Sequence, residues 1–218
     1  MDEAKETIQY DRLVSYEAIE SQDIEWLWYP YIPLGKLTIL QGNPNVGKSY
    51  LTTAITKIVA NGETFPFSND KLEPSNVILQ NGEDGSSDTT KPRLEKQNVN
   101  MGNVYFIQDS DKDQFTLKKT DELKYYLEKY KPKLVVIDPI TLYAGIKDFN
   151  ASTEVRKALD PIARMAKEFK CAIVLIYHFR KGSGDIAYKT NGSIDSVAIA
   201  RSIISVVKNP DNEDERLL

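Results

Sequence analysis

The chain has 218 residues, a net charge of −4, 41% hydrophobic and 28% charged residues, which suits one globular domain with a sizeable core and argues against disorder. The acidic balance gives no global electrostatic footprint for nucleic acid, although a ring or filament needs only a few cations where a strand passes. A single cysteine, Cys171, excludes an internal disulfide framework; the start "MDEAKETIQYDRL" has no apolar leader, and no run approaches the ~18 apolar residues of a membrane span, so a cytoplasmic protein is expected.

Residues 1–22 read as an N-terminal extension and 23–218 as one domain. The segment "DIEWLWYPYIPLGK" (23–36) is aromatic and proline-rich, an extended lead-in rather than a helix. Trp26, Trp28, Tyr29 and Tyr31 belong to a type that stacks on bases, but packing in a core or interface is the commoner use. "KLTILQG" (36–42) predicts a strand, "YLTTAITKIVANG" (50–62) a helix, and "SNVILQN" (75–81) and "NVYFIQ" (103–108) further strands. Helix "TDELKYYLEKY" (120–130), strand "KLVVID" (133–138), a helix over 152–169, and strands "CAIVLIYH" (171–178) and "RSIISVVK" (201–208) follow. Val155, Leu159, Ile162, Ala166 and Phe169 recur at helical spacing, while Pro161 predicts a break or kink among them. The acidic "NPDNEDER" (209–216) reads as a turn. Near-continuous apolar strands alternating with helices predict an α/β fold, its mostly parallel central sheet covered by helices on both faces.

Gly42-Asn43-Pro44-Asn45-Val46-Gly47-Lys48-Ser49 fits G-x-x-x-x-G-K-[ST], directly after a predicted strand and opening a predicted helix. In that context, loop and helix N–H groups cradle phosphates, Lys48 reaches β/γ oxygens, and Ser49 holds Mg²⁺. Tyr50 follows on the helix and completes the candidate nucleotide-binding set. Asn45 stands where glycine is frequent, and asparagine tolerates a left-handed backbone. A phosphate site of this kind also needs a carboxylate for the metal, ending an apolar strand beside the loop; Asp138 meets that description. Hydrolysis needs a group that activates water, and Glu83, after the strand following the first helix, is the candidate, with the adjacent Asp84 left open. His178, the one histidine, ends another such strand, either facing the γ-phosphate or capping the strand at the surface.

Five segments, in order and spacing over residues 24 to 208, resemble the RecA-like P-loop ATPases, most closely the RepA-like branch that includes plasmid- and phage-encoded hexameric replicative helicases. They are the lead-in with its Walker A loop, the pair Glu83-Asp84, Asp138-Pro139, "YHFRKGSGD", and "NGSIDSVAIARS". The resemblance implies that Glu83 is the catalytic base and that His178 is a sensor linking γ-phosphate to nucleic acid. It further implies that Arg201, with Lys181, reaches a neighbouring subunit's ATP. Single-stranded DNA would be held by the loops after Asp138 and His178, the second carrying Arg180, Lys181, Tyr188 and Lys189. ATP and Mg²⁺ are the implied cofactors, and a hexameric ring the implied assembly. Family members usually continue through further strands, so a C-terminally shortened domain is expected. A strand-exchange filament, a nucleotide-dependent regulatory module and a small-molecule kinase are the rivals.

Overall fold

The computed structural model describes residues 13–110, 113–146, 149, 151–178 and 198–218. The lead-in forms a small antiparallel pair, β1 (Trp26–Trp28) and β2 (Ile32–Pro33). Its aromatics divide: Trp28 is buried, stacks on Phe65 at 5.1 Å between ring centres, and donates from Nε1 to the Pro66 carbonyl, whereas Tyr29 is exposed.

The chain then alternates strands and helices. Strand β3 (Leu37–Gly42) leads to α1 (Lys48–Asn61), β4 (Val77–Asn81), α2 (Lys91–Lys96) and the edge strand β5 (Val104–Tyr105). Helix α3 (Thr120–Tyr130), β6 (Leu134–Asp138), α4 (Ile140–Tyr143), α5 (Ser152–Glu168) and β7 (Ala172–His178) follow, and β8 (Ser202–Asn209) and β9 (Asn212–Leu217) close the chain. The seven strands of the large sheet lie in the order β5-β4-β6-β7-β3-β8-β9, all parallel except β9.

Alternate side chains of each inner strand feed two separate cores, which is why these strands read as unbroken apolar runs. Leu37 and Ile39 of β3, with Val135 and Ile137 of β6 and Ile173 and Leu175 of β7, meet Leu123 and Leu127 of α3 and the α5 stripe. Leu40, Leu79, Val136, Val174 and Ile176 point the other way, against Ile55 and Val59 of α1, Leu94 of α2, and the lead-in. Among the described residues, no helix is long and apolar enough to cross a membrane.

Three expectations need correction. Helix α5 runs unbroken through Pro161. An interior proline costs about 3 kcal/mol, but Val155, Leu159, Ile162 and Ala166 are all buried, and the larger of these contribute ~1.5–3 kcal/mol each. Residues 209–216 are not merely a turn: Pro210 and Asp211 make a two-residue hairpin loop, and the acidic run continues as β9, antiparallel to β8. Finally, the strand of Asp138 is not next to the strand of the phosphate loop. Strand β7 lies between them, because the crossover through α1 skips two positions that β6 and β7 later fill.

Candidate functional site

The C-terminal ends of the parallel strands are level: Gly42 pairs with His178, and Asn81 with Asp138. From β3 the chain runs through β4 to the β5 edge and then returns through β6 and β7, so the connections after the neighbouring strands β4 and β6 leave in opposite directions, the position at which open α/β sheets bind ligands. Adjacent strands are ~4.8 Å apart, so the ends of β3 and β6, two strands apart, leave a gap of roughly 10 Å. A cleft of about 460 Å³ opens here, within the ~300–1,000 Å³ usual for small-molecule sites.

The phosphate-type loop is shaped by two left-handed residues, Asn45 at φ 61° and Gly47 at φ 98°. Gly42 has no room for a side chain: a Cβ there would lie 2.6 Å from the Val206 carbonyl oxygen of β8 and 2.9 Å from Val46. The first helical hydrogen bond of α1 runs from Leu51 N–H to the Gly47 carbonyl, leaving the N–H groups of Lys48, Ser49 and Tyr50 without helical partners. Such groups make a helix N-terminus an anion site. Asn43, Pro44 and Asn45 are exposed on the loop, whereas Val46 is buried and anchors it.

Lys48, 6% exposed, spends its three protons inside the site. Nζ donates to the carbonyls of Gly42 at 3.1 Å and Asn43 at 2.9 Å, and lies 3.3 Å from His178 Nδ1. On the far side of the ring, His178 Nε2 is 3.2 Å from Glu83 Oε1. A neutral imidazole protonated on Nε2 satisfies both contacts, accepting from the ammonium and donating to the carboxylate. Burial lowers the pKa of Lys48, opposed by the charges of Asp138 and Glu83. The start of α1, the end of β7 and the turn after β4 thus contribute to one chain of contacts, Lys48–His178–Glu83.

Asp138, 5% exposed at the end of β6, has its pKa pushed up to about 6, first by burial and then by the neighbouring Glu83 carboxylate. Among the described residues, no donor hydrogen-bonds its carboxylate. A buried carboxylate beside a second one, only partly offset by the charges of Lys48 and Arg93 and lining the same cleft as Ser49, suits a divalent cation, which would supply further positive charge. No group of three or more acidic, histidine or cysteine side chains clusters among the described residues; Mg²⁺ sites of the phosphate-assisted kind use one or two carboxylates with water and phosphate oxygens.

The structure separates Glu83 from Asp84. Asn81 Oδ1 accepts from the N–H groups of Glu83 and Asp84 at 3.0 and 3.1 Å, folding the segment into a tight turn. From that turn Glu83 reaches His178, while Asp84 forms an ion pair with Arg93 of α2. Arg93 in turn lies 5.7 Å from the ring centre of Tyr50, which is 65% exposed at the cleft rim. Nothing in the sequence around "KPRLEK" marks Arg93, because only the packing of α2 beside the turn after β4 brings it in.

Two arginines lie at opposite ends of the sheet. Arg201 is exposed at the N-terminal end of β8, its N–H bonded to the Leu37 carbonyl. That is the opposite end of β3 from the loop, so Arg201 does not join the cleft of its own chain. Arg216 of β9 does join it: Nε donates to the Val46 carbonyl at 3.1 Å, and the side chain lines the cleft. Its sequence signal is a two-residue loop after an apolar strand, which predicts a returning strand. Arg180, Lys181, Tyr188 and Lys189 lie outside the described residues.

A mostly parallel sheet flanked by helices, with a phosphate loop opening the first crossover helix, defines a nucleotide-binding P-loop ATPase domain of RecA-like fold. The chain belongs to the AAA domain family, whose model matches residues 6–184, covering β3, β4, β6 and β7 with the loop and the carboxylates at their ends. No curated protein matches the chain.

Proposed function

We propose that this domain is the ATP-hydrolysing motor of a RepA-like ring that moves on single-stranded DNA during replication of a mobile element. The observation that carries the catalytic part is the Lys48–His178–Glu83 chain at the mouth of the phosphate loop. ATP phosphates lie on the N–H groups of the loop and of α1, and Lys48 leaves the loop carbonyls for the β/γ oxygens. Ser49 and Asp138 hold Mg²⁺, which neutralises charge on the phosphates when bound. Glu83 takes a proton from the water that attacks the γ-phosphorus as the bond to the β–γ bridging oxygen breaks and ADP leaves. His178 touches both Lys48 and Glu83, so a change at the γ-phosphate reaches β7 and the residues that follow it, where DNA contact is assigned to Arg180, Lys181, Tyr188 and Lys189.

Arg201 serves the neighbour's site. Its distance from its own loop, about five residues along β8 at ~3.3 Å each, is what a finger acting in trans requires. The test is ATP turnover with and without single-stranded DNA across protein concentration, using Lys48→Ala, Arg201→Ala and a mixture of the two. Each variant alone is expected to lose turnover by 10³-fold or more, as roughly 10³–10⁵ is the value of such a finger, and the mixture to recover part of it. Turnover linear in protein, indifferent to DNA and to Arg201→Ala would sink the motor reading and leave a nucleotide-dependent module.

A further inference from the structure

The sheet ends at β5 in a surface that none of these roles uses. The Tyr105 ring on this edge strand lies 4.6 Å from that of Tyr130 at the end of α3; Tyr130 lies 6.3 Å from Tyr126, and Tyr126 5.5 Å from Tyr125. Four rings therefore form a continuous strip from the sheet edge along the helix. Tyr125 is 53% exposed, and Phe106, next to Tyr105, equally so. Lys129 Nζ lies 5.4 and 5.2 Å from the ring centres of Tyr125 and Tyr130 and donates to Tyr125 Oη at 3.2 Å.

The charge of this region runs against that of the chain. Residues 118–133 carry six lysines and three carboxylates in a protein of net charge −4. Two of the six are paired with carboxylates outside this stretch, Lys119 with Asp113 and Lys124 with Glu168. Lys129, Lys131 and Lys133 are exposed at and just beyond the end of α3. The patch lies at the other end of the sheet from the nucleotide cleft: Tyr130 accepts from Asn76 just before β4, and Lys133 donates its N–H to the same residue.

We propose that this strip is a binding surface for single-stranded nucleic acid, separate from the DNA contacts assigned to residues 179–193. Bases stack on Tyr125 and its neighbours while Lys129, Lys131 and Lys133 hold the phosphates, the combination of ring faces and cations that grips a single strand without reading its sequence. A protein partner fits less well, because protein interfaces are enriched in tyrosine but depleted in lysine. The location implies that binding needs no nucleotide.

The experiment is fluorescence anisotropy of a labelled oligothymidylate against the full chain without nucleotide, over a salt series. Tyr125→Leu keeps the apolar bulk and removes the ring; it is expected to weaken binding about tenfold, within the range of one stacked base, with Tyr125→Phe restoring it. Lys129→Gln/Lys131→Gln is expected to weaken binding and to lower the salt slope by about 1.4, two single-strand phosphate contacts at ~0.7 each. An iodouridine-bearing oligonucleotide should crosslink to the peptide containing Tyr125. Unchanged affinity in both variants, or crosslinks confined to residues 179–193, would overturn the proposal without touching the motor reading. Polyglutamate binding as tightly as the oligonucleotide, with no loss in Tyr125→Leu, would also overturn it, in favour of a docking surface for an acidic protein.

Discussion

Asp138→Asn tests how the site is held at the expense of the fold. The carboxyl is raised from an ordinary 3.8 to about 6 by burial and by Glu83, and at ~1.4 kcal/mol per pH unit its ionisation destabilises the native state by on the order of 3 kcal/mol. Because the folded pKa is the higher one, the folded state binds the proton more tightly between pH 3.8 and about 6. Stability from this group is full at the acid end of that window and is lost as pH rises through it. Asparagine keeps the shape and never ionises. In urea denaturation with EDTA and without nucleotide, the variant should therefore exceed the parent by on the order of 3 kcal/mol at pH 8, and by almost nothing near pH 4. The corresponding rise in Tm at pH 8 is roughly 6–12 °C for a chain of this size. Magnesium-dependent nucleotide binding should be lost in the same variant. A variant no more stable than the parent at pH 8, or one whose advantage is the same at both pH values, would refute the reasoning.

Three further outcomes follow from the geometry. Arg216→Ala frees the Val46 carbonyl and should weaken nucleotide binding several-fold, the value of about 1 kcal/mol for one hydrogen bond; unchanged affinity in titration calorimetry would remove Arg216 from the site. Gly42→Ala forces a methyl against the backbone of β8 and should destabilise the fold by ~1–3 kcal/mol in thermal denaturation, since a carbonyl in a sheet cannot step aside. Pro161→Ala should stabilise it by about 2 kcal/mol, the helix-interior cost of proline less its restriction of the unfolded chain, and a lower Tm would show that the ring packs favourably where it is.

The elements that could be read directly are those whose cause is local. The strand–loop–helix around Gly42 to Ser49 follows from neighbouring residues: an apolar strand, residues that accept positive φ, and a helix start. The left-handed backbone at Asn45 follows from the chemistry of one side chain. The strands ending at Asn81, Asp138 and His178 are likewise written in their own apolar runs, so their convergence on one edge could be anticipated from a parallel sheet.

What the chain left open depends on partners distant in sequence. Pro161 breaks helices in isolation, but α5 is held by a stripe buried on the sheet, and burial outweighs local preference. The acidic residues after Pro210 become a strand because β8 offers them an edge to pair with. That pairing carries Arg216 to the loop while the parallel register leaves Arg201 at the far end of the sheet. Glu83 and Asp84 are equivalent as sequence; Arg93 and His178, from two other elements, make them different. By itself the sequence determined the class of fold and the phosphate loop, because periodicity and a contiguous motif are short-range properties. Tertiary structure alone decided which charged groups meet, because strand order and register, not proximity along the chain, bring side chains within a few ångströms of one another.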